Sequence, residues 1–457
     1  MTFDFDAIII GTGQAGTPLA ASMAKNGLKV GIIEKSQVGG TCVNNGCTPT
    51  KAYVANARRA YIAKNSSDMG VKINGDVTID LKQIKQRKED IISESRSSIK
   101  EMLESNENIT LINGKATFID GNSIAVNNTT YTAEKIYINV GGRPRIPEGF
   151  NGVDYLTNET ILQLEEIPEH LIVVGGGYIG LEFGQMFRRF GSKITILDRG
   201  SKLLKHEDDD MAQEIANIFK KEQIHIRLNS KCISAKKSGK GIEVNVDCAE
   251  GSPSITGSHL LLATGRIPNT SDLGLDKIGV DTDERGYIKV NNSLQTTLDN
   301  IWALGDCNGQ GGFTHTSYND FQIVNSHLFE EKKRFLSDRI LCYAAFIDPP
   351  IARVGLNEED IRRKGIKAKL AKKPMSEIAR AKEKGETQGL LKIFVEEETN
   401  KFLGASFLGT GADEYVHTII DMMYAGASYT ALRDAVHIHP TVSELIPTML
   451  EKLESIK

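Results

Sequence analysis

Residues 7–16 read AIIIGTGQAG, and residues 171–180 read LIVVGGGYIG. Each is a short apolar run that closes on G-x-G-x-x-G. The likeness continues through NGLKVGIIE, ending at residue 34, and FGSKITILD, ending at residue 198. Adding 164 to Gly11, Gly13, Gly16, Gly27 and Glu34 gives Gly175, Gly177, Gly180, Gly191 and Asp198. The chain therefore carries one structural unit twice.

Within each unit the order is strand, glycine loop, helix, second strand and a carboxylate. The first glycine permits a tight turn, and the second lets the backbone approach a pyrophosphate. The third lets helix and strand pack closely, with the helix N-terminus facing the anion. Glu34 and Asp198 each lie 18 residues past the last glycine of their loop, placed to accept hydrogen bonds from ribose hydroxyls. Two dinucleotide-binding units are expected.

The chain has 457 residues, 40% hydrophobic and 25% charged, enough for several domains of ordinary soluble composition. A net charge of −4 gives no electrostatic reason to expect nucleic acid or an anionic membrane as partner. The N-terminus MTFDFDAIIIG lacks a secretory pattern, and runs such as LIVV are far shorter than a membrane span. A cytoplasmic protein is expected. Apolar residues from Leu81 to Leu103 fall at helical spacing, predicting a long helix over 81–105 with a narrow buried stripe. Alternating stretches around 110–140 read as strands, and RPRIP at 143–147 reads as a boundary. ATGRIPN at 263–269 closes the second unit, and TTLDNIWALGD at 296–306 returns to an apolar strand ending in Gly305-Asp306. From about residue 341 the texture becomes a mixed α/β domain.

The second decisive stretch is GGTCVNNGCTPTK, residues 39–51. Cys42 and Cys47 are five apart, which in a regular helix is a rise of about 7.5 Å. A disulfide needs Cα atoms about 4.4–6.8 Å apart. A bridge therefore requires an irregular turn, for which Asn44-Asn45-Gly46 has suitable chemistry. Pro49 suits the first turn of a following helix, whose positive N-terminal potential favours a thiolate. Close cysteines also bind metals, but no second cluster with ligand spacing follows, so no metal site is expected. A buried inert pair is the remaining alternative to redox chemistry. Cys232, Cys248, Cys307 and Cys342 are scattered and read as core or surface thiols.

GGTCVNNGCTPTK closely resembles the active-site segment of the flavoprotein pyridine nucleotide–disulfide oxidoreductases, the family of dihydrolipoyl dehydrogenase, glutathione reductase and mercuric reductase. ATGRIPN, IWALGD and HPTVSE extend the resemblance over nearly the whole chain. It implies an α/β fold of two Rossmann-like domains for FAD and NAD(P) plus a C-terminal α+β dimerisation domain. The expected parts are 1–150 (FAD, with the cysteines), 151–270 (NAD(P)), 271–340 (FAD, second part) and 341–457 (interface).

The resemblance also implies roles. Gly11, Gly13, Gly16, Glu34, Thr41, Lys51, Gly305 and Asp306 would hold FAD. Gly175, Gly177, Tyr178, Gly180, Asp198 and Gly265 would hold the nicotinamide cofactor. Lys51 matches the lysine beside the flavin ring, Glu182 its ion-pair partner, and Tyr178 a ring covering the nicotinamide pocket. Cys47 matches the sulfur facing the flavin, and Cys42 the one exchanging with substrate. His439 matches the family's base and Glu444 its orienting carboxylate, which cross to the partner subunit's site and so imply a homodimer. His437, two residues away, is expected to be structural.

Asp198 favours NADH over NADPH, while Arg199 and Lys202 soften that preference. HPTVSE fits a dithiol or disulfide substrate, as in dihydrolipoyl dehydrogenase. Overall texture also resembles mercuric reductases and a copper-reducing relative linked to reactive-chlorine resistance, although TMLEKLESIK at the C-terminus lacks a mercuric reductase's cysteine pair. A soft-metal reductase and an NADH-binding redox sensor are the other classes. FTHTSYNDF at 313–321 departs from the family's usual Thr-Pro pattern, placing His315 either beside the flavin or in simple packing.

Overall fold

The computed structural model describes residues 2–150, 152–239, 241–247 and 253–456. Cys248 and the side chain of Cys232 lie outside the described residues. In the first unit four parallel strands run in the order Ile109–Asn113, Val30–Glu34, Phe5–Ile10, Thr129–Ile138. Ile301–Ala303 joins the far edge of Thr129–Ile138, so the chain returns to this sheet after building the second unit. The run VGIIE is buried at every position, as expected for a parallel strand covered on both faces. A meander of Ala116–Phe118, Ser123–Val126 and the start of Thr129–Ile138 completes this part.

The second unit repeats the design with His225–Arg227, Lys193–Leu197, His170–Val174 and His259–Leu262 in parallel order. The repeat holds bond by bond. Gly11 N donates to Ile33 O at 2.7 Å and Gly175 N to Leu197 O at 2.8 Å, both offset by 164. Thr12 N donates to Glu34 at 3.1 Å and Gly176 N to Asp198 at 2.5 Å. A Cβ on Gly16 would sit 2.2 Å from Gly11 O, and one on Gly180 2.0 Å from Gly175 O. The third glycine of each loop is thus fixed by close packing, as its place in the motif requires.

RPRIP is more than a boundary. Gly142–Pro144 pairs antiparallel with Arg266–Pro268 of the GRIPN segment, so two similar motifs clasp the units together. The long helix spans Leu81–Glu104, with Asp80 accepting from Gln83 N at 3.0 Å as its cap. Its buried stripe is narrow (Leu81, Lys88, Ile92 and Leu103), with Lys88 reaching Leu162 O at 3.1 Å.

The C-terminal part is a six-stranded antiparallel sheet with Ala412–Tyr424 packed on two of its strands. It locks onto the second unit through charge. Lys392, 1% exposed, places its ammonium 2.7 Å from Asp208, 3.1 Å from Asp210 and 3.1 Å from Glu358. A buried cation needs such paired carboxylates. Two Rossmann-like units and a C-terminal dimerisation domain make up the fold.

Candidate active site

The cysteine segment folds as two helices, Gly40–Asn45 and Cys47–Lys64, broken at one residue. This corrects the expected three-residue turn: Asn44 and Asn45 are helical, and the irregularity is confined to Gly46, at φ −121° and ψ −116°. A Cβ there would lie 2.7 Å from Thr41 O. Cys47 is the first residue of the second helix, with Pro49 in its first turn. Asn44 fixes the preceding loop by donating to Val38 O at 3.0 Å and Gly40 O at 2.9 Å.

Cys42 and Cys47 are free thiols that hydrogen-bond to each other. That bond pulls Cys47 down to about 6, helped by the Thr314 hydroxyl 3.2 Å from its sulfur and by the charge of Lys51. Cys42 moves the opposite way, because its proton is held in the bond to Cys47 and burial disfavours its anion. Lys51 Nζ lies 2.8 Å from Glu182, which is 3% exposed, and Glu182 also accepts from Phe346 N at 2.8 Å. Burial raises Asp306, opposed by Arg266 at 3.6 Å. Tyr178 begins the helix Tyr178–Phe190, its ring 5.5 Å from that of Phe313.

These groups line one cavity of about 1410 Å³. Gly11, Gly13, Glu34 and Thr41 line it, as do Cys42, Cys47, Lys51, Glu182, Tyr178 and Asp306. Gly16, Gly175, Gly177, Gly180, Asp198, Gly265 and Gly305 do not line it. His439 and Glu444 are also outside it. His439 is 75% exposed, with Nδ1 2.9 and 3.0 Å from the two Glu444 oxygens. His437 Nδ1 lies 3.3 Å from Ala435 O.

A family model described as pyridine nucleotide-disulphide oxidoreductase matches residues 5–320, and that family's dimerisation domain matches 342–450. The chain belongs to the pyridine nucleotide–disulfide oxidoreductases. It is 37% identical over 450 residues to a probable pyridine nucleotide-disulfide oxidoreductase, RclA, of Escherichia coli, covering 96% of this chain and 97% of the relative. It is 33% identical to a dihydrolipoyl dehydrogenase of Thermus scotoductus (98% and 97% covered) and 31% to a mercuric reductase of Staphylococcus aureus (96% and 81%). Among solved structures, the HOCl-induced flavoprotein disulfide reductase RclA from Escherichia coli superposes with a TM-score of 0.88 at 36% identity, over 98% of this chain and 99% of that one. The Cu(II) complex of that reductase gives 0.89 at 35%, over 99% and 100%.

This oxidoreductase binds FAD and NAD(P)H. The residues present fit the flavin nucleotide. A Cβ on Gly13 would meet Asn139 Oδ1 at 2.7 Å, and one on Gly40 would meet Gly13 Cα at 2.9 Å, so bare backbone from two loops walls the cavity. Glu34 lines the same cavity, and Gly40, which starts a helix, lines it too.

Several residues that line this cavity escaped the sequence reading. Asn139, 6% exposed, accepts from Gly16 N at 2.9 Å and donates to Leu304 O at 2.8 Å, tying the first glycine loop to the IWALGD strand. Its signal was NVGGRPRIP, which echoes ATGRIPN. Arg266 and Thr314 were inside quoted motifs without a role. Cys342 is not an ordinary scattered thiol: it lines the cavity with His315, whose Nε2 is 2.7 Å from Cys342 O. Cys307 is a buried core thiol, as expected. No described helix is long and apolar enough to cross a membrane.

Proposed function

We propose that this flavoprotein uses NADH to reduce the Cys42–Cys47 pair, and that the pair reduces a dithiol-forming disulfide substrate. The observation that carries this reading is Cys47, held toward thiolate by Cys42, Thr314 and Lys51 in the cavity that fits the flavin. Bound FAD supplies the relay that takes an electron pair from the nicotinamide to the two sulfurs.

The sulfurs divide the exchange. Cys42 keeps its proton at rest and needs a base, which His439 of the partner subunit provides across a homodimer interface. The Cys42 thiolate attacks one sulfur of the substrate, breaking its S–S bond, and the leaving thiolate takes the proton from the imidazolium. Cys47 then attacks the Cys42 sulfur of the mixed disulfide, re-forming Cys42–Cys47 and releasing the second thiolate, which is protonated by solvent. Glu444 holds the imidazole through Nδ1, leaving Nε2 for exchange. Lys51 stabilises negative charge beside the flavin, and Glu182 lowers the cost of burying it. Exposed Val436 and Ile438 flank His437, as apolar residues of an interface would.

Asp198 supports NADH. It accepts from Gly176 N at 2.5 Å and Gly200 N at 2.6 Å, leaving its remaining lone pairs for ribose hydroxyls. Lys202 is bound to Glu207 O and Asp209, both at 2.7 Å, and so is withdrawn from a 2′-phosphate. Glu34 and Asp306 are assigned to the FAD ribose and ribityl–pyrophosphate regions, and Tyr178 to covering the nicotinamide pocket. The four expected parts, 1–150, 151–270, 271–340 and 341–457, serve as working domain limits. A reducing cytoplasm is the compartment such dithiol chemistry fits.

A second reading is reduction of a soft metal ion, favoured by the likeness to a reductase solved as a Cu(II) complex. Two thiols suit such an ion. NADH consumption with lipoamide, glutathione disulfide, Cu(II) and Hg(II) separates the readings. Turnover of a disulfide that His439→Ala slows supports the first. Turnover of Cu(II) alone, indifferent to His439, replaces it with the second.

A further inference from the structure

Four aromatic rings meet beside the sulfurs, drawn from three separate segments. The Phe313 ring lies 5.5 Å from Tyr178 at 38°, 5.3 Å from His315 at 11° and 5.6 Å from Tyr343 at 2°. Its main chain is held as well: Phe313 N donates to Thr316 Oγ1 at 3.1 Å, and that hydroxyl donates to Phe313 O at 2.8 Å. The outer ring is anchored. Tyr343 donates its hydroxyl to Glu207, which is fully buried and also meets Ser406 Oγ at 3.3 Å and Arg353 at 3.9 Å.

Both ends of this stack have chemical meaning. Tyr178 opens the helix that follows the second glycine loop, and Glu207 belongs to the segment after Asp198. The residue next to Phe313 is Thr314, whose hydroxyl touches Cys47. Cys47 is otherwise faced by Cys42 from the preceding helix, Lys51 from its own, and Glu182 and Tyr178 from Tyr178–Phe190. A ring enclosed on several sides has little room to move alone, because close-packed groups shift together.

We propose that Phe313 is a positioning residue that couples the placement of the Tyr178 ring to the Thr314–Cys47 hydrogen bond, so that events at the nicotinamide pocket adjust the flavin-side sulfur. This rests on the reading above of Cys47 as the sulfur facing the flavin. Physically, a shifted Tyr178 removes one of the rings packed against Phe313. The helix start that Phe313 anchors then shifts, and the hydroxyl moves relative to the sulfur. Coupling of this kind is established by mutant cycles rather than by proximity.

The test titrates Cys47 alone, in the FAD-loaded Cys42→Ser protein, through the long-wavelength absorbance of a flavin against a thiolate. Thr314→Val raises the midpoint by about one unit, the scale of one hydrogen bond to a charged group. Phe313→Ala raises it similarly, and the double variant rises no further than the larger single. Tyr178→Ala shifts the midpoint when Phe313 is present and leaves it in place in the Phe313→Ala protein. Phe313→Tyr, which keeps the stack, retains the parental midpoint. Additive shifts for Phe313→Ala and Thr314→Val overturn the proposal, as does a Tyr178→Ala shift that persists without Phe313. If Phe313→Ala loses flavin, Phe313→Leu runs the same cycle at nearly conserved volume. A Cys42→Ser protein without the band at any pH contradicts the flavin-side assignment instead, and iodoacetamide labelling of Cys47 against pH, read by mass spectrometry, then decides the coupling.

Discussion

Replacing Lys51 by Met should cost the folded protein about 2 kcal/mol. The ammonium lies 2.8 Å from Glu182, whose side chain is 3% exposed, while that of Lys51 is 32% exposed. At an effective dielectric of about 20 that separation gives roughly 6 kcal/mol of attraction, against which stands the desolvation of both charges. Breaking a buried pair by removing one partner typically costs about 3–5 kcal/mol, since the other charge is stranded. Two features reduce this here. Lys51 is partly in solvent, and Phe346 N still donates to the stranded carboxylate at 2.8 Å. In the Lys51→Met, Glu182→Gln protein, the amide oxygen keeps the Phe346 bond and no charge is stranded, so about half the loss should return. With unfolding entropies near 2.1 cal/mol/K per residue, each kcal/mol is about 1 °C in a chain of this size. Thermal unfolding of the FAD-loaded proteins should therefore show a fall of about 2 °C for Lys51→Met and about 1 °C for the double variant. A double variant that loses the sum of the two single effects would refute the stranded-charge argument.

His439→Ala should slow disulfide turnover by about 10²–10⁴-fold, read as steady-state kcat, while FAD content is unchanged. In the reduced protein, iodoacetamide labelling of Cys47 should rise with a midpoint near pH 6, far below an ordinary thiol. A lowered thiol pKa stabilises the folded form fully above the unfolded thiol's pKa, and that contribution is lost as pH falls through about 6. Gly180→Ala places a Cβ 2.0 Å from Gly175 O and should weaken NADH binding, measured by calorimetry, without loss of yellow colour.

The parts legible in the sequence were those whose chemistry is local. Gly11 and Gly175 are recognisable because a single turn demands them, and Glu34 and Asp198 follow at fixed spacing. The cysteine segment was legible for the same reason, although the break proved to need only Gly46, since Asn44 and Asn45 can continue a helix. Lys51–Glu182 spans 131 residues and was reached through resemblance alone. What stayed hidden depends on tertiary approach without a local pattern. Nothing near Glu207 indicates that Tyr343 will arrive from another domain, and nothing near Cys342 indicates the cavity. RPRIP at 143–147 read as a boundary because Pro and Arg suggest a loop, yet its first two residues join Gly142 in a two-strand clasp, which at an edge tolerates proline.

The most direct measurement is an anaerobic titration of the purified yellow protein with NADH. The first equivalent should reduce the sulfur pair, giving a long-wavelength band while the main flavin absorbance persists, and Cys47→Ser should abolish that band. Bleaching of the flavin by the first equivalent with no such band, or a band that survives loss of Cys47, would contradict the assignment of electrons to these two sulfurs.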